Sequence, residues 1–127
     1  WERRTLVRVL RKESMADERL ELLRGTLDLL ILKVLASGPA HGYTIVRRIS
    51  TRSEGVLLVE EGSLYPALHR LERRGWLEAE WGTSEENRRA KFYRLSRSGR
   101  RELAERERDW AAMSSAIAGV LSAEGGA

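Results

Sequence analysis

Cysteine does not occur in this sequence. Its absence excludes disulfides, thiolate zinc ligands and a thiol nucleophile, and it fits a chain working in a reducing cytoplasm. No apolar run approaches the roughly 20 residues that span a bilayer, and no secretory signal pattern is present, so no membrane partner is expected. Histidine occurs twice, as His41 and His69, and never at H-E-x-x-H spacing. A glycine-rich phosphate loop and a G-x-S-x-G elbow are both missing. Glu60-Glu61 and Glu85-Glu86 are paired carboxylates that nothing orients around a substrate. Ser63, His69 and Glu72 suggest a triad by composition only, because Ser63 lies six residues before His69, nearly two helical turns away. The chain is therefore expected to be no enzyme, with no catalytic residues, no metal and no cofactor.

An excess of acid is also lacking. With 23 basic and 19 acidic residues the formal charge is +4, which suggests an anionic partner. The excess is concentrated at the start. Residues 1–14 hold five basic residues and two acids, and the remaining 113 residues hold 18 basic and 17 acidic ones. A nucleic-acid partner must therefore be argued from where the charges lie. At 127 residues and 42% hydrophobic, one domain with a small core is expected.

The chain is organised around the stretch from Glu60 to Gly75. Leu64, Leu68 and Leu71 fall at i, i+4 and i+7 and form one apolar stripe of a helix. The opposite face carries Pro66, His69 and Arg73, flanked by Ser63, Tyr65 and Arg70. Pro66 places the helix start near Gly62, and Gly75 supplies a left-handed stop. A hydroxyl, a phenol, an imidazole and arginines on one face suit phosphates and base edges, so the stretch reads as a DNA-recognition helix. The alternative is a solvated polar face on a packed helix.

Two strand-like runs follow, Trp76 to Trp81 and Ala90 to Leu95, joined by a polar tip that ends in Arg88-Arg89. Helices followed by a β-hairpin with a basic arm form the plan of a winged helix-turn-helix. The segments GSLYPALHRLERRGWL and RRAKFYRLSRSGRREL resemble the PadR family of transcriptional regulators, over roughly Leu20 to Leu121. The resemblance implies a mainly α fold with a small β-hairpin wing, a long C-terminal dimerisation helix and an operator-binding role.

Four segments are expected. Residues 1–19 form a basic extension, with Met15-Ala16-Asp17 reading as a native start and residues 1–14 as either a non-native addition or a basic arm reaching phosphates. Residues 20–95 form the winged-helix domain, residues 96–122 the C-terminal dimerisation helix, and residues 123–127 a frayed tail. The first helix runs from Leu20 to Ser37, with Leu23, Leu27, Leu30, Ile31 and Val34 at helical spacing, and it ends at Gly38-Pro39. It is apolar nearly all round, which suits a central helix or half of an interface. The second helix starts at His41-Gly42-Tyr43 and runs to about Arg52, with Ile45, Val46 and Ile49 inward. Arg47 and Arg48 are expected to face outward, as phosphate clamps or as ordinary surface charge. Val56 to Val59 is β-prone and suits a third strand of the wing sheet. Glu60 and Glu61 suit the positive end of the next helix dipole but would repel phosphate.

Ser96 is the N-cap of the last helix. Leu103, Trp110 and Ile117 are seven apart, and Arg106, Met113 and Val120 form a second set seven apart, with Arg106 as the polar member. This coiled-coil-like pattern predicts a homodimer seam that also includes Leu23 and Leu27. The alternative is a helix folded back on the first helix of its own chain. Multidrug-binding members of the resembled family carry a tryptophan at the spacing of Trp110 that stacks flat ligands between subunits. The resemblance therefore implies a planar aromatic effector on Trp110. Arg106, one turn earlier, would meet an acidic group on the ligand. Otherwise Trp110 fills the seam.

The expected function is a dimeric, sequence-specific regulator, most simply a repressor, on palindromic double-stranded DNA. Two recognition helices would stand about 34 Å apart, one turn of B-DNA. Tyr43, Arg47, Tyr65, Arg88, Arg89 and Lys91 would set register on phosphates. Ser63, His69 and Arg70 would read base edges, and Pro66 and Arg73 complete the DNA-facing surface. The near-neutral domain and the glutamates at the helix start and wing tip favour an alternative, a winged-helix module that binds protein.

Overall fold

The computed structural model describes residues 25–122. The expectations for Leu23, for the segment 1–19 and for the tail 123–127 lie outside the described residues. Helix α1 occupies residues 25–35. It is followed by β1 (Ala40–His41), α2 (Gly42–Arg52), α3 (Glu61–Arg73), β2 (Leu77–Thr83), β3 (Arg89–Leu95) and α4 (Arg97–Ser122). The strands form one antiparallel sheet in the order β1-β3-β2. This is the mainly helical winged helix-turn-helix that the sequence pattern predicts.

The core lies where three helices meet the inner face of the sheet. Leu27, Ile31 and Leu35 of α1, Ile45 of α2, Leu64, Leu68 and Leu71 of α3, and Leu77 of β2 are all nearly inaccessible. The leucine stripe of α3 is thus its buried face. Truncating one such residue removes its transfer energy and leaves a void, a loss of about 2–5 kcal/mol. The register Leu77↔Leu95 and Ala79↔Tyr93 puts these side chains on that same inner face.

Two chain reversals fix the geometry. At the end of α3, the Gly75 N–H donates to the Glu72 carbonyl and the Trp76 N–H to the Leu71 carbonyl, with Gly75 at φ +77°. This is the double bond pattern of a left-handed helix stop, which glycine adopts without penalty. At the start of α4, the Ser96 Oγ accepts from the Gly99 N–H at 3.0 Å, as an N-cap should. The same hydroxyl donates to the Gly75 carbonyl at 2.6 Å, and Ser98 Oγ donates there at 2.9 Å. The Trp76 carbonyl packs so closely against Gly99 that any Cβ there would collide with it.

The structure corrects the expectation for Val56–Val59. That run is not a strand; Val56 and Leu58 are exposed, and only Val59 is buried. Glu54 and Gly55 turn the chain at positive φ, and Ser53 Oγ accepts from the Leu57 N–H at 2.9 Å, holding the segment as a loop. The third strand is instead Ala40–His41, which reaches β3 directly and pairs with Tyr93 and Phe92.

Leu27 and Leu103 are also corrected. Both were expected in a dimer seam, but they are 1% and 6% exposed within the chain's own core. The first turns of α4 therefore fold back on the domain, and only the later turns project an apolar face.

Candidate nucleic-acid interface

The outer face of α3 is open. Tyr65, Pro66, His69 and Arg73 are exposed, and Ser63 is half-buried. Pro66 is the sixth residue of α3, deeper than the first turn that its ring prefers. It removes the i+4 helical donor of the Gly62 carbonyl, at an exposed position open to solvent. The Tyr65 hydroxyl lies against Gly42, where an added Cβ would stand 3.0 Å from it. Glycine at this position lets the start of α2 approach the recognition helix.

That approach joins three elements into one surface. Tyr43 and Arg47 project from α2, with the Arg47 guanidinium carbon 5.7 Å from the Tyr43 ring centre. Facing them across a groove of about 470 Å³ are Arg88 and Arg89 of the hairpin, with Glu85 and Glu86 at its tip. The tip is a tight reversal in which the Ser84 N–H donates to the Arg88 carbonyl at 2.7 Å, with Asn87 at φ +61°. Arg89 lies over the Trp81 ring at 4.8 Å. His41 closes the inner end of the groove, with Nε2 3.2 Å from Thr44 Oγ1 and its ring edge-on to Phe92.

Four basic residues stand differently from expectation. Arg70 Nη2 donates to Asp28 Oδ1 at 2.6 Å. Its partner is a buried carboxylate on α1, so the guanidinium turns inward and does not extend from the recognition face. Lys91 Nζ donates to Glu72 Oε1 at 3.0 Å, which ties the wing to α3. Arg48 is half-buried, and its Nη1 is buried without a hydrogen-bond partner, so only Arg47 of that pair faces outward. Arg106 donates to Glu102 at 2.9 Å and covers one face of Trp76, so it is paired within α4.

The Glu72 hydrogen bond raises the Lys91 pKa above its ordinary value against the opposing effect of burial. Burial likewise raises the Tyr93 hydroxyl, with the nearby Lys91 charge opposing. Sequence reasoning missed Asp28 and Glu72 as partners. For Asp28 the signal was available, since a carboxylate inside the run Leu27-Asp28-Leu29-Leu30 must find a cation if it is buried.

Beyond Leu103, α4 carries Trp110, Met113, Ile117 and Val120, each at least half exposed. Trp110 borders an open groove of about 230 Å³ with Leu29, Arg106, Asp109 and Met113. Among the described residues, no cluster of three or more His, Asp or Glu side chains is placed to hold a metal. No described helix is long and apolar enough to cross a membrane.

Comparison with known proteins matches residues 31–105 to a model described as the transcriptional regulator PadR-like family. An uncharacterized protein of Lysinibacillus sphaericus is 32% identical over 93 residues, covering 73% of this chain and 85% of that one. A PadR family transcriptional regulator from Eggerthella lenta is 31% identical with a TM-score of 0.69, covering 91% of this chain and 99% of the other. A transcriptional regulator from Clostridium thermocellum is 27% identical with a TM-score of 0.69, covering 76% and 94%. A PadR-like transcriptional regulator from Bacillus cereus is 25% identical with a TM-score of 0.71, covering 82% and 99%.

Proposed function

This chain belongs to the PadR-like family of transcriptional regulators, DNA-binding regulators and not enzymes, and from that premise we propose that it acts as a homodimeric repressor on a palindromic operator. One observation carries the reading. The exposed face of α3 is continuous, through the Tyr65–Gly42 contact, with the groove between Tyr43, Arg47 and the wing arginines. In this reading α3 enters the major groove. Ser63, His69 and Arg73 meet base edges, with Pro66 offering apolar contact. Tyr43, Arg47, Tyr65, Arg88 and Arg89 hold phosphates on either side. The apolar outer face of α4 supports the dimer, because Trp110, Met113, Ile117 and Val120 are left uncovered by their own chain. Pairing these faces sets two copies of α3 about one DNA turn apart. A planar aromatic seated beside Trp110 would occupy the groove against Leu29 and Met113 and act as effector through apolar contact alone.

The test is the salt dependence of binding to duplex from the DNA upstream of the protein's own gene. Phosphate neutralisation releases counterions, so affinity should fall steeply with salt. Arg89→Ala should weaken specific and random duplex about equally and lower the salt slope by about 1. Salt-independent or absent duplex binding would support a protein-binding module in its place. The glutamates of the wing tip and of the α3 start would then mark the docking surface.

A further inference from the structure

We propose that Trp81 is a DNA-contacting residue of the wing, which covers deoxyribose with its indole and holds Arg89 in place for the adjoining phosphate. This rests on the DNA-binding reading above and adds a residue to it. The register of the hairpin is the starting point. Leu77↔Leu95, Ala79↔Tyr93, Trp81↔Lys91 and Thr83↔Arg89 are successive pairs on one face of the sheet. The first two pairs supply core residues, with Leu77, Leu95 and Tyr93 buried. At the third pair the face leaves the core, because Lys91 reaches across to Glu72 of α3. Glu72 lies seven residues after Tyr65 and three after His69, on the same side of that helix. The wing face carrying Trp81 therefore opens beside the very flank of α3 that presents Tyr65 and His69.

Trp81 stands there 57% exposed, although the core begins one residue pair away. A large exposed indole at this place is a poor choice for a solvated strand but a good one for a partner with an apolar surface next to a charge. Duplex DNA offers that combination along its backbone, where each sugar presents C–H groups and each phosphate an anion. The Arg89 guanidinium carbon, 4.8 Å from the indole ring centre, is held by its cation–π contact without using its N–H donors. The fork thus stays available for phosphate oxygens while its position is fixed before binding. Glu85 and Glu86 are at the tip, past this pair, which favours a backbone track at the base of the wing over insertion of the tip.

The experiment compares the full chain with Trp81→Phe, Trp81→Ala, Arg89→Ala and the Trp81→Ala/Arg89→Ala double variant, using a labelled random-sequence duplex. Trp81→Phe preserves an aromatic strand residue, and equal thermal midpoints show that the fold is intact. DNA should change the indole fluorescence of the parent protein by more than that of Trp81→Phe. Trp81→Ala should weaken binding about fivefold or more while leaving the salt slope nearly unchanged, since Arg89 keeps its charge. A role confined to strand packing would move neither the fluorescence nor the affinity at constant fold. The double variant should lose less than the product of the two single losses, because each residue acts through the other. Three results overturn the proposal: affinity of Trp81→Ala within twofold of the parent, an identical fluorescence response in Trp81→Phe, or single losses that multiply. If the parent binds duplex with a steep salt dependence while any of these holds, only this assignment falls. If the parent binds no duplex, the DNA-binding reading falls with it.

Discussion

Asp28 and Arg70 offer the sharpest test of how the recognition helix is held. The two are 42 residues apart in sequence and bonded at 2.6 Å. The Asp28 side chain is 7% exposed and that of Arg70 24%, so the two partners should not be equivalent on removal. Arg70→Met leaves a buried carboxylate with no counter-ion. Breaking a buried pair from one side costs about 3–5 kcal/mol, and the near-complete burial of Asp28 puts this variant in that range. Asp28→Asn leaves a guanidinium that keeps about a quarter of its surface in water and can partly rehydrate. Its loss should be nearer 2 kcal/mol. The double variant Asp28→Leu/Arg70→Met removes both charges and should recover most of the stability, because apolar replacement of a whole buried pair is close to neutral. Urea unfolding at one fixed protomer concentration is the assay. The midpoints should rank Arg70→Met lowest, then Asp28→Asn, with the double variant above both. For a domain of this size, 3 kcal/mol corresponds to a thermal midpoint lower by roughly 10–20 °C. A double variant no more stable than Arg70→Met would refute the reasoning, as would an Arg70→Met midpoint within error of the parent.

Ile117→Glu should give monomers by sedimentation and lower operator affinity, since a charge in an apolar seam costs several kcal/mol; a dimer retained would move the interface elsewhere. Stability should fall in alkali: Lys91 and Tyr93 both hold their protons more tightly in the fold than at their ordinary values of 10.5 and 10.0. Their contribution is complete below about pH 10 and is lost as pH rises through the higher folded values. Urea midpoints should show a smaller alkaline loss in Glu72→Gln and Tyr93→Phe than in the parent, by a few tenths of a kcal/mol for the partly exposed Lys91 pair. Trp110→Ala should abolish fluorescence quenching by planar aromatics, and any operator release they cause, while leaving the dimer folded. A loss of about 3–5 kcal/mol with no aromatic effect on DNA binding would make Trp110 a packing residue.

The fold was legible wherever periodicity and a stop signal coincided. Leu64, Leu68 and Leu71 marked the buried face of α3, Gly75 marked its end, and alternation with a polar tip marked the hairpin. Local chemistry was enough because each signal sits within one element. The third strand was misread because Val56–Val59 has strand-forming residues but is held as a loop by the Glu54-Gly55 turn and the Ser53–Leu57 bond. Ala40–His41, with weaker propensity, emerges from the turn after α1 directly beside β3. Pairing geometry outweighed propensity there. At the candidate interface the same limit applies. Arg70 and Lys91 look alike with Arg73 and Arg89 in a sequence. What separates them is a carboxylate brought close by the fold, Asp28 from α1 and Glu72 from α3. Helical spacing located Trp110 to Val120 as apolar. It could not show that Leu103, at the same heptad spacing, is covered by its own domain.

The joint between α3 and α4 has a mechanical consequence. One carbonyl, that of Gly75, receives both Ser96 and Ser98 hydroxyls, so the end of one helix and the beginning of the next share a single anchor. Helix α4, with 26 residues, is about 39 Å long, and it works as a lever with that anchor as its fulcrum. A tilt of one degree at the fulcrum displaces the far end by about 0.7 Å at this length. In reverse, a shift of several ångströms where α4 meets another surface reaches the fulcrum as only a few degrees. Gly99 pressed against the Trp76 carbonyl leaves little room for slack there. With so stiff a joint, any coarse movement at the far end of a rigid α4 would arrive at the end of α3 as only a small rotation.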